Sequence, residues 1–287
     1  MARVYVVVPR ECITEGAAAL ARRTRVTRLA QPARPVRVRA ELILWFCVSP
    51  LACSASLPQG VSGPAADALA RKMEFAVGAA AWAQTGAVRW FFVGRNRHLW
   101  DRAGNRSSVE FGDKRALLDL STHRGRAWEG PVELQGDAAR AVLDDAHAKW
   151  INDSFWLNPV VKSFDDGVTR RLVPDPELGS HQLLVEYSSG GRTPGDRYLW
   201  ILDEDGTPRA WKMWVSVLPI KGAEASWERW VTLATGAKIS TMHRTPVFDL
   251  ELTEVAGAAS MTALVPGSEP FEPLVACGDQ PTLCTGF

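Results

Sequence analysis

The chain lacks any apolar run approaching the roughly 20 residues a helix needs to cross a bilayer, which excludes a polytopic helical membrane protein. It lacks a fixed internal period, which excludes solenoids and propellers. It also lacks a surplus of one charge: the net value is +1 over 287 residues, 46% of them apolar. A disordered, self-repelling chain does not have that balance. Missing too are the motifs that announce common chemistries. There is no Gly-x-Ser-x-Gly elbow, no phosphate-binding Walker loop, and no His-Glu-x-x-His among His98, His123, His147, His181 and His243. No catalytic residue, metal ligand or cofactor site is therefore assigned. Tyrosine is scarce at three residues, whereas tryptophan is plentiful at twelve. So many indoles favour a sheet-rich protein with a large apolar interior.

The near-neutral total conceals an asymmetry. Residues 1–52 carry nine arginines against three acidic residues, which leaves 53–287 at a net −5. A nucleic-acid partner is not expected, because the surplus leads straight into an apolar run. Arg34, Arg37 and Arg39 precede Leu42-Ile43-Leu44-Trp45-Phe46-Cys47-Val48, and Pro50-Leu51-Ala52-Cys53 follows. A positive segment, an apolar stretch too short to span, and a small residue at the end have a secretory signal's layout. A buried strand at Leu42–Val48 is the alternative. Signals begin at an N-terminus, so initiation is expected near Val36 or Val38.

Leu51-Ala52-Cys53 resembles the lipobox of bacterial lipoproteins, with Pro50 standing where that pattern has an aliphatic residue. The resemblance implies lipidation at Cys53, a membrane contact through that anchor, and a place in the cell envelope, on the outer membrane facing the periplasm. A soluble periplasmic or secreted form is the alternative. Residues 53–63 are small and polar and read as a flexible tether. Once 1–52 are removed and Cys53 is modified, Cys277 and Cys284 are left. In an oxidising compartment they are expected to pair, with two free thiols in a frayed tail (257–287) as the alternative.

Between these ends, residues 64–256 read as one domain. Pro64 to Trp82 has helical spacing, with Leu69, Met73, Val77 and Ala80 on one stripe. From Ala87 the period becomes two, giving strands near 88–93, 98–102, 107–111 and 116–122. A second helix runs from Asp137 to Asn158-Pro159, its stripe made of Ala139, Leu143, Ala146, Trp150 and then Ser154 or Phe155. Seven further strands follow. In the Asp203–Pro208 turn, Asp205-Gly206 reads as a two-residue hairpin loop. That register sets residue 202 against 209, Trp200 opposite Trp211 and Tyr198 opposite Met213, with Trp214 on the other face near Arg197. The glycine-rich 188–196 stretch and the Asp203–Gly206 carboxylates read as loop and turn, since no helix start and no distal glutamate accompany them.

The order of elements, with Leu99-Trp100-Asp101-Arg102-Ala103-Gly104, Ala127-Trp128-Glu129-Gly130 and Tyr198-Leu199-Trp200-Ile201-Leu202-Asp203, resembles the lipoprotein-localisation carriers and receptors (LolA/LolB-like). The resemblance implies an α+β, mainly β fold: an antiparallel half-open barrel with helices over its concave face. It further implies a non-enzymatic protein binding a lipid or an acylated polypeptide there. Trp90, Tyr198, Trp200, Trp211 and Met213 are the residues expected to line the cavity, and an envelope protein is a further candidate partner. An enzyme on the same scaffold would need convergent polar residues inside the barrel. A structural or sensor protein would show a filled one.

Overall fold

The computed structural model describes residues 54–175, 180–189, 193–246, 248–279 and 281–287. The signal-like segment and Cys53 lie outside the described residues.

Helices α1 (Pro64–Ala76) and α2 (Ala79–Ala83) come first, where the stripe predicts a single helix. The break falls at Gly78, whose φ of 71° is left-handed and ends the first helical run. A side chain there would stand 3.1 Å from the Gly236 carbonyl, so glycine also permits the close approach of a later hairpin. Five strands follow: β1 (Ala87–Phe92), β2 (Asn96–Asp101), β3 (Arg106–Phe111), β4 (Lys114–Asp119) and β5 (Arg124–Glu129), with a short β6 (Val132–Glu133). The long helix α3 (Gly136–Leu157) interrupts the meander and ends where Asn158-Pro159 forbids its continuation. The chain then runs through β7 (Val168–Asp175), β8 (Ser180–Tyr187), β9 (Asp196–Leu202), β10 (Pro208–Trp214), β11 (Ala223–Ser226), β12 (Glu228–Thr232), β13 (Lys238–Arg244) and β14 (Asp249–Ala258). Helices α4 (Met261–Leu264) and α5 (Glu272–Asp279) and the short β15 (Thr285–Gly286) complete it.

Every pairing is antiparallel, and one ladder orders β7-β8-β9-β10-β11 while the other orders β12-β13-β14-β1-β2-β3-β4-β5-β15. The two are joined by one strand that changes partners at Trp227. Before it, β11 pairs with β10, and after it, β12 pairs with β13. At the junction the Trp227 N–H donates to the Arg209 carbonyl at 2.7 Å. The two sheets meet at this junction while their far edges β7 and β15 stay unpaired, which makes an open half-barrel. The mainly β class with helices on the concave face is the architecture the element order implies.

The concave face is apolar along its length. Val88, Trp90 and Phe92 of β1 pack with Leu157 of α3 and Ile239 of β13. Val109, Ala116 and Ala127 meet Ala139, Val142, Leu143 and Ala146 on the inner stripe of α3. Met73 and Val77, at the end of α1, meet the aromatic β9–β10 wall. The convex face is covered in two places. The 257–287 segment is a packed strap rather than a frayed tail. Phe271, Leu274 and Cys284 bury Leu117, Thr285 pairs with Gly125, and Cys277 is disulfide-bonded to Cys284. Residues 54–61 also differ from a loose tether, since Leu57 packs with Trp214 and Val61 bridges to Leu172 of β7.

Candidate functional site

The tightest aromatic concentration lies on β9 and β10 beneath α3. Trp200 and Trp211 are cross-strand partners, as are Tyr198 and Met213, while Trp214 sits opposite Arg197 on the convex side. This is the arrangement the hairpin reading predicts, although the turn achieves it differently. The loop has three residues, Glu204-Asp205-Gly206, because the Asp203 N–H donates to the Thr207 carbonyl and Leu202 pairs with Pro208. Gly206, at φ 93°, supplies the left-handed position such a loop requires. The register then shifts between Pro208 and Ala210, and that irregularity at Arg209 restores the Trp200–Trp211 pairing.

Trp227 packs on both indoles, its ring centroid 5.1 Å from Trp200 and 5.0 Å from Trp211. From above, Phe155 and Trp156 of α3 reach down to Trp211 at 6.0 and 4.9 Å. Trp200 and Trp211 are consequently fully buried (0% exposed), with Tyr198 and Met213 nearly so. The burial raises the Tyr198 hydroxyl's pKa well above the ordinary phenol value, with the Asp196 carboxylate adding to the rise. Trp90 stands apart from these four. It belongs to the β1–β13 cluster and stacks on His98 with centroids 4.4 Å apart and planes 11° from parallel. Trp156 touches both clusters and links them.

Two buried polar groups inside the half-barrel escape a reading by motif. His98 Nε2 lies 2.7 Å from Asp153 Oδ2, which also accepts from Asn96 Nδ2 at 2.8 Å. The other carboxylate oxygen accepts from Asn152 Nδ2 at 2.9 Å. This pair ties β2 to the C-terminal half of α3. One signal was available: Asp153 falls seven residues after Ala146 and four before Leu157, on the apolar stripe itself. His243 is the second group. Its Nδ1 faces the Ser226 carbonyl at 3.1 Å, and since a carbonyl only accepts, Nδ1 carries the proton. Burial lowers its pKa to about 4, so the ring is neutral near pH 7.

The His98 and Asp153 side chains are 0% and 3% exposed in this helix-covered arrangement. Among the described residues no group of three or more His, Cys, Asp or Glu could hold a metal ion. A pocket of about 500 Å³ opens on the convex face, between Arg97, Leu99, Glu110 and Arg115 of the sheet and Val265 and Pro270 of the strap. Of its charges, Arg97 pairs with Glu254. No helix among the described residues is long and apolar enough to cross a membrane.

Fold and interior together define a helix-covered, half-open antiparallel barrel with an aromatic concave wall. No protein-family model matches the chain, and no curated protein matches it. Among solved structures it is similar to the crystal structure of a DUF1329 family protein from Desulfovibrio piger, at 10% identity and a TM-score of 0.39. That likeness covers 74% of this chain and 97% of the other.

Proposed function

We propose that the chain is a non-enzymatic carrier, exported and attached to the cell envelope, that takes the acyl chain of a lipid or an acylated polypeptide into its half-barrel. The observation that carries this reading is the nature of the cover. The aromatic wall of Tyr198, Trp200, Trp211 and Met213 is closed by helices, not by strand pairing, so it opens without breaking the sheet. The N-terminus of α3 has no side-chain cap, and the polar ties of the helix to the sheet include Asp153 with His98.

In the closed form Phe155 and Trp156 fill the space a ligand would take. Burying a chain of about fourteen methylenes is worth roughly 11 kcal/mol relative to water, at ~0.8 kcal/mol each, which favours long acyl chains over short ones. The indole N–H groups of Trp200, Trp211 and Trp227 have no hydrogen-bond partner among the described residues. They are donors available to an ester or amide carbonyl entering with the chain.

The attachment point in this reading is Cys53, on the outer membrane facing the periplasm. The Cys277–Cys284 disulfide is the kind of bond an oxidising compartment maintains. Intact mass of protein purified from native membranes reads cleavage, lipidation and the disulfide together, and a Cys53→Ser form that fractionates unchanged with membranes contradicts the anchor.

The complete burial of Trp200 and Trp211 favours one other reading, a structural or sensor protein whose indoles are permanent core. Titration with a long-chain fatty acid separates the two. The carrier gives a saturable change in tryptophan emission that short-chain acids do not produce, and a permanent core gives none.

A further inference from the structure

The chain's path out of the half-barrel is fixed at one place. The Ser54 hydroxyl accepts from the Lys221 backbone N–H at 2.9 Å, and the Ala55 N–H donates to the Lys221 carbonyl at 2.9 Å. Trp214 Nε1 donates to the Ala55 carbonyl, also at 2.9 Å. Ser54 is thus held against the loop that joins β10 to β11. Cys53 is its neighbour in sequence, and adjacent Cα atoms lie only about 3.8 Å apart. A lipid on Cys53 would therefore join the chain one residue before this loop contact.

The loop shows an uncharged tip to solvent. Lys221 folds its ammonium inward, donating to the Val215 and Leu218 carbonyls at 2.6 and 2.9 Å. That contact fixes the loop as a compact knuckle. The tip, Ser216-Val217-Leu218-Pro219, has no ionisable side chain, and Val217 is 58% exposed. The rim of the same end is mixed, with Pro194 and Gly195 of the β8–β9 connection beside Asp196, Arg197 and Lys221. An apolar tip beside the exit of the chain would be a poor surface for water and a good one for the interfacial zone of a bilayer.

We propose that the Val217–Pro219 knuckle is a membrane-contact surface that rests in the interfacial layer of a phospholipid bilayer and sets how the half-barrel stands on it. The proposal rests on the anchored-lipoprotein reading, which brings the bilayer to Ser54. It places the opposite end of the hairpin away from the membrane. The Asp203–Thr207 turn lies the length of β10 away, seven residues or about 23 Å.

The test is photo-crosslinking with p-benzoylphenylalanine in place of Val217 or, as the far-end control, in place of exposed Glu204. The full chain is produced in bacteria, purified in detergent and reconstituted into vesicles of phosphatidylethanolamine and phosphatidylglycerol, and its intact mass is measured after irradiation. The expected result is phospholipid adducts at position 217 at least five-fold above those at 204, on protein bearing lipid at Cys53. Equal adducts at both positions, or none at 217, on lipidated protein overturn the contact surface and leave the anchor standing. Unlipidated protein without adducts at 217 overturns both. Adducts at 217 on unlipidated protein support the surface and overturn the anchor. Val217→Asp in the lipidated chain gives a second reading: it should remove most of the crosslinking from a probe placed at Pro219, and unchanged crosslinking there also overturns the proposal.

Discussion

Trp200 and Trp211 stand directly opposite each other across the β9–β10 hairpin, their ring centroids 4.9 Å apart and both side chains wholly buried. Removing either leaves a void beneath α3 that Phe155 and Trp156 fill only in part. Trp211→Ala is expected to lower stability by about 3–5 kcal/mol, while Trp211→Phe, which keeps an aromatic ring, loses less than half of that. Urea denaturation of the two variants checks the ordering. Equal losses would mean the wall is not packed as described.

The tie between α3 and β2 makes a second expectation. Asp153→Ala removes the acceptor of bonds from His98, Asn96 and Asn152. Leaving the buried His98 donor unmet, while the half-exposed Asn96 and the exposed Asn152 turn to water, is expected to cost about 1–3 kcal/mol. The same change should raise amide hydrogen exchange across the C-terminal half of α3 more than in β1–β4. A loss below about 1 kcal/mol, or exchange that rises uniformly, would show that Asp153 does not hold the helix down.

His243 gives the protein an acid sensitivity whose sign is fixed by burial. Its folded pKa, about 4, lies below the ordinary 6.5, so between those values the unfolded chain binds the proton and the folded one does not. This contribution to stability is complete above about pH 6.5, falls as pH drops towards 4, and levels off below. The span corresponds to roughly 3 kcal/mol at most. His243→Gln should flatten the stability profile over that window, and an unchanged slope would place the sensitivity elsewhere.

Much of the architecture was legible because strands and helices write their period into the chain. Phe248–Val255, Gln182–Tyr187 and the α3 segment all emerge within a few residues of where alternation or the 3.6 spacing puts them. The Trp200–Trp211 register came out right through two features that offset each other. The loop is one residue longer than Asp205-Gly206 implies, and the irregularity at Arg209 takes that residue back. What stayed hidden is non-local. His98 and Asp153 lie 55 residues apart, and no local pattern says that a carboxylate on an apolar stripe will meet a particular histidine. Leu57 and Val61 sit in a polar run that reads as a tether, yet the partners that hold this run, Trp214 and Leu172, are more than a hundred residues away. The strap was invisible for the same reason, since Phe271 and Leu274 are buried only by Leu117 and its neighbours.

Because the strap is packed, the disulfide should matter beyond the C-terminus. Closing this short loop is worth about 2–3 kcal/mol in the chain-entropy account. Cys277→Ser with Cys284→Ser is expected to free the Thr285–Gly286 pairing and raise exchange along β5, while the β7–β10 wall stays protected. An unaltered β5 would show that Phe271 and Leu274 hold the strap without the bond.

The central claim, that the concave wall receives an acyl chain by displacing its helical cover, is tested most directly by hydrogen–deuterium exchange over Gly136–Leu157 during titration with a long-chain fatty acid. The account expects a saturable rise in exchange across α3 and none in β9 and β10, where the ladder stays intact. Exchange in α3 that stays constant up to the solubility limit of the acid, with tryptophan emission equally unmoved, would contradict it.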